Sequence, residues 1–391
     1  MTRGFLSALM VVFIVVACSD EAVNTAEPEL RTEAPCVDGV PEYDVTVERH
    51  FSAIGPAGND VIAGDDALWI VESAANTVSR FDGDDEHIES GFVDVGNDRN
   101  PYAAAIDEAA GEIWLVNFIS DTVTIADLSS GDVVEEISDP GFADPSAVAL
   151  TKTHAYVANV DFLGLQQGYA PGSIAVIDRS TREVAATWQT EFKNPHFLAI
   201  AEVDGAAALF VSGAGAIERS DDRMQVTSRG GLEWFDISTD PVEPSSQTFA
   251  LGQVGVETVG AAGRPLPTPD GDRLYFSSGI APVLFVFDLK ERRWLYDAAE
   301  PLQLYESHED ATHRAAMGED GLLWVTAFNE DALYLLDTAC DELVAPPIDV
   351  GAVANMLEGP QALAVVADGE RIHGYYLLSI ANALGRVILT P

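Results

Sequence analysis

Lysine is almost missing from this chain. Lys152, Lys193 and Lys290 are the only three, and with arginine they bring the basic total to 20 against 64 acidic residues. A formal charge of −44 argues against nucleic acid and anionic surfaces as partners, since both are repelled by a field of that sign. Cysteine is scarce too: Cys18, Cys36 and Cys340 provide neither paired C-x-x-C zinc ligands nor a haem-attachment motif. There is no G-x-S-x-G nucleophile elbow and no H-E-x-x-H helix. His308 and His313 are five apart, which is not the spacing that puts two ligands on one helical face. The acidic clusters around Asp82, Glu218 and Asn329-Glu330-Asp331 lack the calcium-loop spacing. The acidity reads as solubility in a salty medium, or as a surface that collects divalent cations.

What the chain does have is a repeat. Ile113-Trp114-Leu115-Val116 and Val123-Thr124-Ile125-Ala126 read as two short strands around a polar turn, closed by Asp127. An aspartate there can bond the amides of the following turn. The same unit runs from Trp69 to Asp82, Tyr275 to Asp288 and Trp324 to Asp337, with aromatic and aspartate 13 positions apart each time. Tyr156 to Asp178 and Phe210 to Asp236 carry 9 and 13 extra residues between the strands, and a looser seventh copy runs from Tyr376 to Thr390. Seven copies of short strands at this period predict an all-β, seven-bladed β-propeller. The seventh copy has three strands, and Asp44-Val45-Thr46-Val47-Glu48-Arg49-His50-Phe51 is the spare one. An N-terminal strand completing the last, C-terminal blade closes the ring and leaves no open sheet edge.

Tyr156-Val157-Ala158-Asn159 with Ile174-Ala175-Val176-Ile177-Asp178, and the stretch from Trp114 to Asp127, resemble the YVTN-repeat family of propellers. The resemblance covers roughly residues 43–391. It implies a fold and says little of activity, because such propellers include surface and periplasmic proteins of varied role. At the N-terminus, Arg3 precedes an apolar run over residues 5–17, and Val15-Val16-Ala17-Cys18 resembles a bacterial lipobox. That implies a signal peptide at 1–17, lipidation of Cys18, and a protein held on a bacterial membrane in the cell envelope, periplasmic or at the surface. Residues 18–42 are acidic, Pro-rich and poor in apolar groups, so they read as a tether. The propeller domain then spans 43–391. With Cys18 lipidated, Cys36 and Cys340 remain, and an oxidising compartment suggests their disulfide. Cys340 falls in a bottom-rim turn near the start of the spare strand.

Candidate site residues lie on the opposite, top face. Each blade begins with a repeated head: Gly58-Asn59-Asp60, Asn100-Pro101-Tyr102, Asp144-Pro145-Ser146, Asn194-Pro195-His196, Arg264-Pro265-Leu266, Thr312-His313-Arg314 and Gly359-Pro360-Gln361. Tyr102, His196, Arg264, His313 and Arg314 are expected to form a polar funnel at the channel mouth. Asn117, Asn159, Asp161 and Asn382 follow second-strand ends and are expected to add to it. Two insertions, 161–172 and 214–230, belong to neighbouring blades on the same face, where function concentrates on a rigid scaffold. The favoured reading is a non-enzymatic binding or scaffold lipoprotein that takes a protein or small molecule on its top face. The alternative is a metal-assisted hydrolase of an ester or lactone, with one calcium or magnesium ion held by oxygens such as those of Glu72, Asn117, Asn159, Asp161 and Asn382, and His196 or an acidic neighbour as base.

Overall fold

The computed structural model describes residues 43–82, 87–164, 167–220, 223–226, 228–252, 262–279, 281–304, 312–352 and 356–391. Seven antiparallel sheets follow one another as blades. The second blade shows the pattern: Pro101–Asp107, Glu112–Asn117, Thr122–Asp127 and Val133–Ser138, from the channel outward. Blades five and six each add a short outer strand, Leu302–Gln303 and Ile348–Asp349. Cys18 and Cys36 lie outside the described residues, as do the signal and tether segments.

No blade has a core of its own. The buried side chains fall into seven clusters, and each cluster is shared by two adjacent blades. The repeat aromatic of each copy faces the next blade. Trp114 packs with Val148, Val157 and Ile177 of blade three, and Tyr156 packs with Leu198, Leu209 and Val211 of blade four. Both are fully buried, and aromatics of this size dominate the energetics of such contacts. Blades also approach closely where a side chain is missing. A Cβ on Gly374 of blade seven would stand 2.4 Å from the ring of Trp324 in blade six.

The seventh copy begins one residue earlier than the sequence pattern indicates. Leu378 pairs with Ala383 and Tyr375 with Arg386, as Asn117 pairs with Thr122 and Trp114 with Ile125. Tyr375 is therefore the counterpart of Trp114, and its ring lies 5.7 Å from Phe81 in blade one. Tyr376, the expected anchor, points the other way and joins the cluster shared with blade six, because a one-residue step in a strand reverses the face.

The aspartates that end the third strands cap the turns beyond them. Asp127 accepts bonds from the amides of Ser129 and Ser130, both at 2.9 Å, and Asp178, Asp236, Asp288 and Asp337 each accept an amide two residues on.

The ring is closed by the N-terminal strand. Asp44–Ala53 pairs antiparallel with Ala383–Thr390, from Asp44 opposite Thr390 to Ala53 opposite Ala383, with an irregularity between Glu48 and Ser52. Arg386 fastens this seam. Its Nε and Nη2 each donate to Glu48 Oε2 at 2.6 Å, and its guanidinium lies 4.3 Å from the centre of the Phe51 ring. Arg386 is 8% exposed and Glu48 36%, so the two ends of the pair are not equally dispensable. Glu48→Ala deprives a buried guanidinium of its carboxylate and should cost ~2 kcal/mol, a partly exposed pair falling below the 3–5 of a fully buried one. Arg386→Met, which keeps the packing and removes the charge, should cost less than half of that. Urea unfolding of the two variants checks both values.

Candidate functional site

The heads of the inner strands are built by a left-handed turn followed by a bulge. Asn100, Asp144, Asn194 and Gly359 have φ of 56°, 50°, 55° and 66°, a region that Asn, Asp and Gly enter at least cost. Proline follows and starts the strand. Then the register slips: Pro101 opposes Asn117 and Ala103 opposes Val116, so Tyr102 has no partner across the ladder. The same slip leaves out Asn59, Ser146, His196 and Gln361 in blades one, three, four and seven. In blade six it falls between Thr312 and Ala315, and the Thr326 hydroxyl there accepts from Arg314 N at 3.1 Å and donates to Arg314 O at 3.2 Å. A bulge re-aims side chains. In blades one, two, three, four and seven it turns one residue out of the sheet at the channel mouth.

Three contacts then cross the channel. Tyr102 of blade two donates its hydroxyl to His196 Nε2 of blade four at 2.9 Å, passing over blade three. Arg264 at the head of blade five donates to Asp60 Oδ2 of blade one at 2.9 Å. Arg314 of blade six stacks its guanidinium 4.4 Å from the centre of the Phe197 ring in blade four. Blades that are not neighbours meet only across the axis, so these three contacts lie over the channel. Around them, Asn59 Nδ2 donates to Tyr102 O, and Gln361 Nε2 reaches Asn59 Oδ1 at 3.4 Å.

The electrostatics follow from this enclosure. Tyr102 and His196 keep some accessible surface while protein surrounds them on every side, as expected for groups lining a narrow channel. His196 Nδ1 lies 3.4 Å from Asn194 Oδ1, so the ring carries its hydrogen on Nδ1 and accepts from Tyr102 on Nε2. Burial, and secondarily the positive charge of Arg314, push the His196 pKa down to about 3. Burial likewise raises the Tyr102 hydroxyl, partly offset by Arg314. For Arg314 burial is the leading influence and lowers its pKa, with Asp60 opposing. The mouth thus holds a neutral histidine, a protonated tyrosine, one carboxylate and two guanidiniums.

Three of the other expected residues, Asn117, Asn159 and Asn382, are engaged in contacts within or between neighbouring blades. Asn117 and Asn159 are fully buried. Asn117 donates to Thr122 Oγ1 at 3.0 Å and Thr124 Oγ1 at 2.8 Å, and Asn159 Oδ1 accepts from Ala143 N at 3.2 Å. Asn382 Oδ1 accepts from Ala57 N at 3.1 Å at the head of blade one. That is one of a set of latches in which a turn residue of one blade holds the head of the next: Asn76 Oδ1 accepts from Asn100 N, Asp121 Oδ1 from Asp144 N, and Asp331 Oδ1 from Gly359 N, all at 2.8 Å. Asp161 begins the blade-three insertion, half-buried. The His313 side chain lies outside what the structure describes.

The residues present do not fit a divalent ion. Glu72 Oε1 accepts from Gly55 N at 2.6 Å and its Oε2 from Thr77 Oγ1 at 2.7 Å, so its carboxylate serves its own blade. The amide oxygens named above are held within or between neighbouring blades, and among the described residues no group of three or more His, Cys, Asp or Glu is placed to hold a metal ion. Two guanidiniums at the mouth oppose a cation further.

One contributor was not foreseen. The blade-three insertion forms a hairpin, Phe162–Gly164 with Gly168–Tyr169, and Tyr169 lies close enough to Tyr102 and Asp144 for their charges to raise its hydroxyl pKa, after burial, the main cause. The Tyr169 ring stands 5.1 Å from Phe162. The blade-four insertion is a second hairpin, Ile217–Ser220 with Arg223–Val226, and Ile217–Ser220 comes within 8 Å of Gly168–Tyr169, Cα to Cα.

The sequence matches no family model and no curated protein. Solved structures do resemble it. A streptogramin B lyase superposes with a TM-score of 0.64 at 10% identity, over 89% of this chain and 98% of that one. The hydrazine synthase of Kuenenia stuttgartiensis superposes with 0.60 at 17% identity, over 85% and 95%. The WD40 repeats of RRP9 superpose with 0.60 at 13% identity, over 88% and 97%. Identities this low carry the fold alone, and a lyase beside WD40 repeats shows how little the fold decides about activity.

The depressed His196 pKa makes a pH prediction. The unfolded chain protonates this histidine near 6.5 and the folded chain near 3. Its contribution is therefore complete above pH 6.5 and is lost as pH falls through the window between those values. His196→Gln should remove that loss. Urea midpoints measured from pH 7 to pH 4 should fall less steeply for the variant than for the native protein.

Proposed function

We propose that the protein is an exported, lipid-anchored binding propeller that takes its ligand or partner on the top face. The observation that carries the binding part is the meeting of the two hairpins beside the channel mouth. The two hairpins and the bulged head residues belong to the same face of the ring. A rigid ring carrying loops on one face is the usual arrangement for recognition. The funnel supplies hydrogen-bond donors and aromatic faces without an assembled nucleophile or metal cage. His196, the one candidate base, has its accepting nitrogen occupied by Tyr102, which weighs against the hydrolase reading.

Anchoring through Cys18 and the tether remains part of this proposal, as does pairing of Cys36 with Cys340. What supports the pairing is that the described chain starts beside the turn that holds Cys340. Burial, Asp320 and Asp337 together raise the Tyr43 hydroxyl pKa, which puts Tyr43 next to the turn that holds Cys340. Positions 36 and 43 are seven residue steps apart, and an extended segment of that length reaches ~24 Å. With the tether leaving from the bottom rim, the top face points away from the membrane.

Deleting residues 220–229 tests the top-face reading. The ring should keep its melting temperature, because a surface insertion contributes little to the core, and partner recovery from the cell envelope should be lost. Recovery that persists through the deletion would remove the basis for this reading.

A further inference from the structure

We propose that the channel mouth binds a small organic oxyanion, a carboxylate or phosphate ester carried on a flat apolar group, through Arg314 and Arg264. This names the ligand class of the top-face site and rests on that reading.

The charges at the mouth do not balance. Arg264 is paired with Asp60. Arg314 comes within electrostatic reach of Asp60, Tyr102 and Arg264, but its guanidinium makes no ion pair with any of them. Its recorded neighbour is the face of Phe197. Arg314 is 9% exposed, and its Nη1 is buried with no hydrogen-bond partner among the described residues. Of the two guanidiniums, Arg264 has a carboxylate of its own in Asp60 and Arg314 has none among the described residues. A buried cation with an unmet donor is costly, and an oxyanion removes the cost, since a guanidinium offers parallel N–H groups matched to two oxygens.

The walls say what the oxyanion should be attached to. Tyr102 stands 5.4 Å from Phe118, and Tyr169 comes to the same place from the hairpin with Phe162 behind it. Aromatic faces beside a cationic end suit a planar apolar body with the charged group directed at Arg314. A purely structural plug would use the same Arg314–Phe197 contact and would be indifferent to added anions, so the two readings separate by experiment.

The purified full chain is titrated with benzoate and with phenyl phosphate, against acetate, benzylammonium and chloride at equal ionic strength. Benzoate or phenyl phosphate should raise the melting temperature in a saturable way, since a ligand specific to the folded state stabilises it by mass action. Whichever acts at lower concentration identifies carboxylate or phosphate ester as the group recognised. Acetate should act only weakly and benzylammonium not at all. Arg314→Gln should weaken binding by ~10- to 100-fold, the usual worth of a buried charged hydrogen bond. If that variant fails to fold, Tyr169→Ala in the blade-three hairpin replaces it and should separate benzoate from acetate less. No anion-specific shift in the native protein, or one that survives Arg314→Gln, overturns the proposal. A protein that ignores both anions yet loses its partner when residues 220–229 are removed sinks the oxyanion inference and keeps the top-face reading.

Discussion

The pairing of the first strand with the last is the constraint on which the rest of the molecule depends. Every buried cluster is shared between two blades, so none is complete until the ring is. The seam of Asp44–Ala53 against Ala383–Thr390 completes blade seven and lets it cover blade one, where Tyr375, Leu377 and Leu384 meet Val61, Ile70 and Phe81. Left open, the seventh sheet would expose an edge and an apolar face together. The mouth depends on the same closure. The Arg264–Asp60 pair joins blade five to blade one, and Asn382 of blade seven holds the head of blade one.

Much of this architecture is legible in the residues, for a physical reason. Blades repeat because each interface poses the same packing problem, so Trp69, Trp114, Tyr156, Phe210, Tyr275 and Trp324 recur at matching places and the aspartates cap matching turns. The seventh copy shows where legibility stops. Tyr375 and Tyr376 stand side by side, and which one faces blade one depends on the register with Ala383–Thr390, which no local pattern encodes.

The site was less readable. Prolines mark the heads of the blades, but the bulges after them exist only relative to a partner strand. Contacts such as Tyr102 with His196 join residues far apart in the chain. Asn117 and Asn159 look like funnel residues because a polar group at a strand end reads the same whether it faces a channel or bonds its own turn. Tyr169 was hidden for the opposite reason, lying in an insertion without periodicity. One signal was available for the charged groups. At the position after the bulge, blades two, three and seven carry Ala103, Ala147 and Ala362, and blades one, four and six carry Asp60, Phe197 and Arg314.

The guanidiniums of the mouth stand inside a molecule of charge −44, and that contrast makes the acidic exterior a filter on valence. A monoanion approaching the axis meets the repulsive field once, over a screening distance of ~8 Å at physiological salt, and a single close contact with Arg314 can offset it. A polyanion meets the field at every charge along its length but can bring only one of them to the mouth. For the proposed oxyanion, a surface of this sign disfavours chains of many charges and leaves a path open to small molecules with a single anionic group.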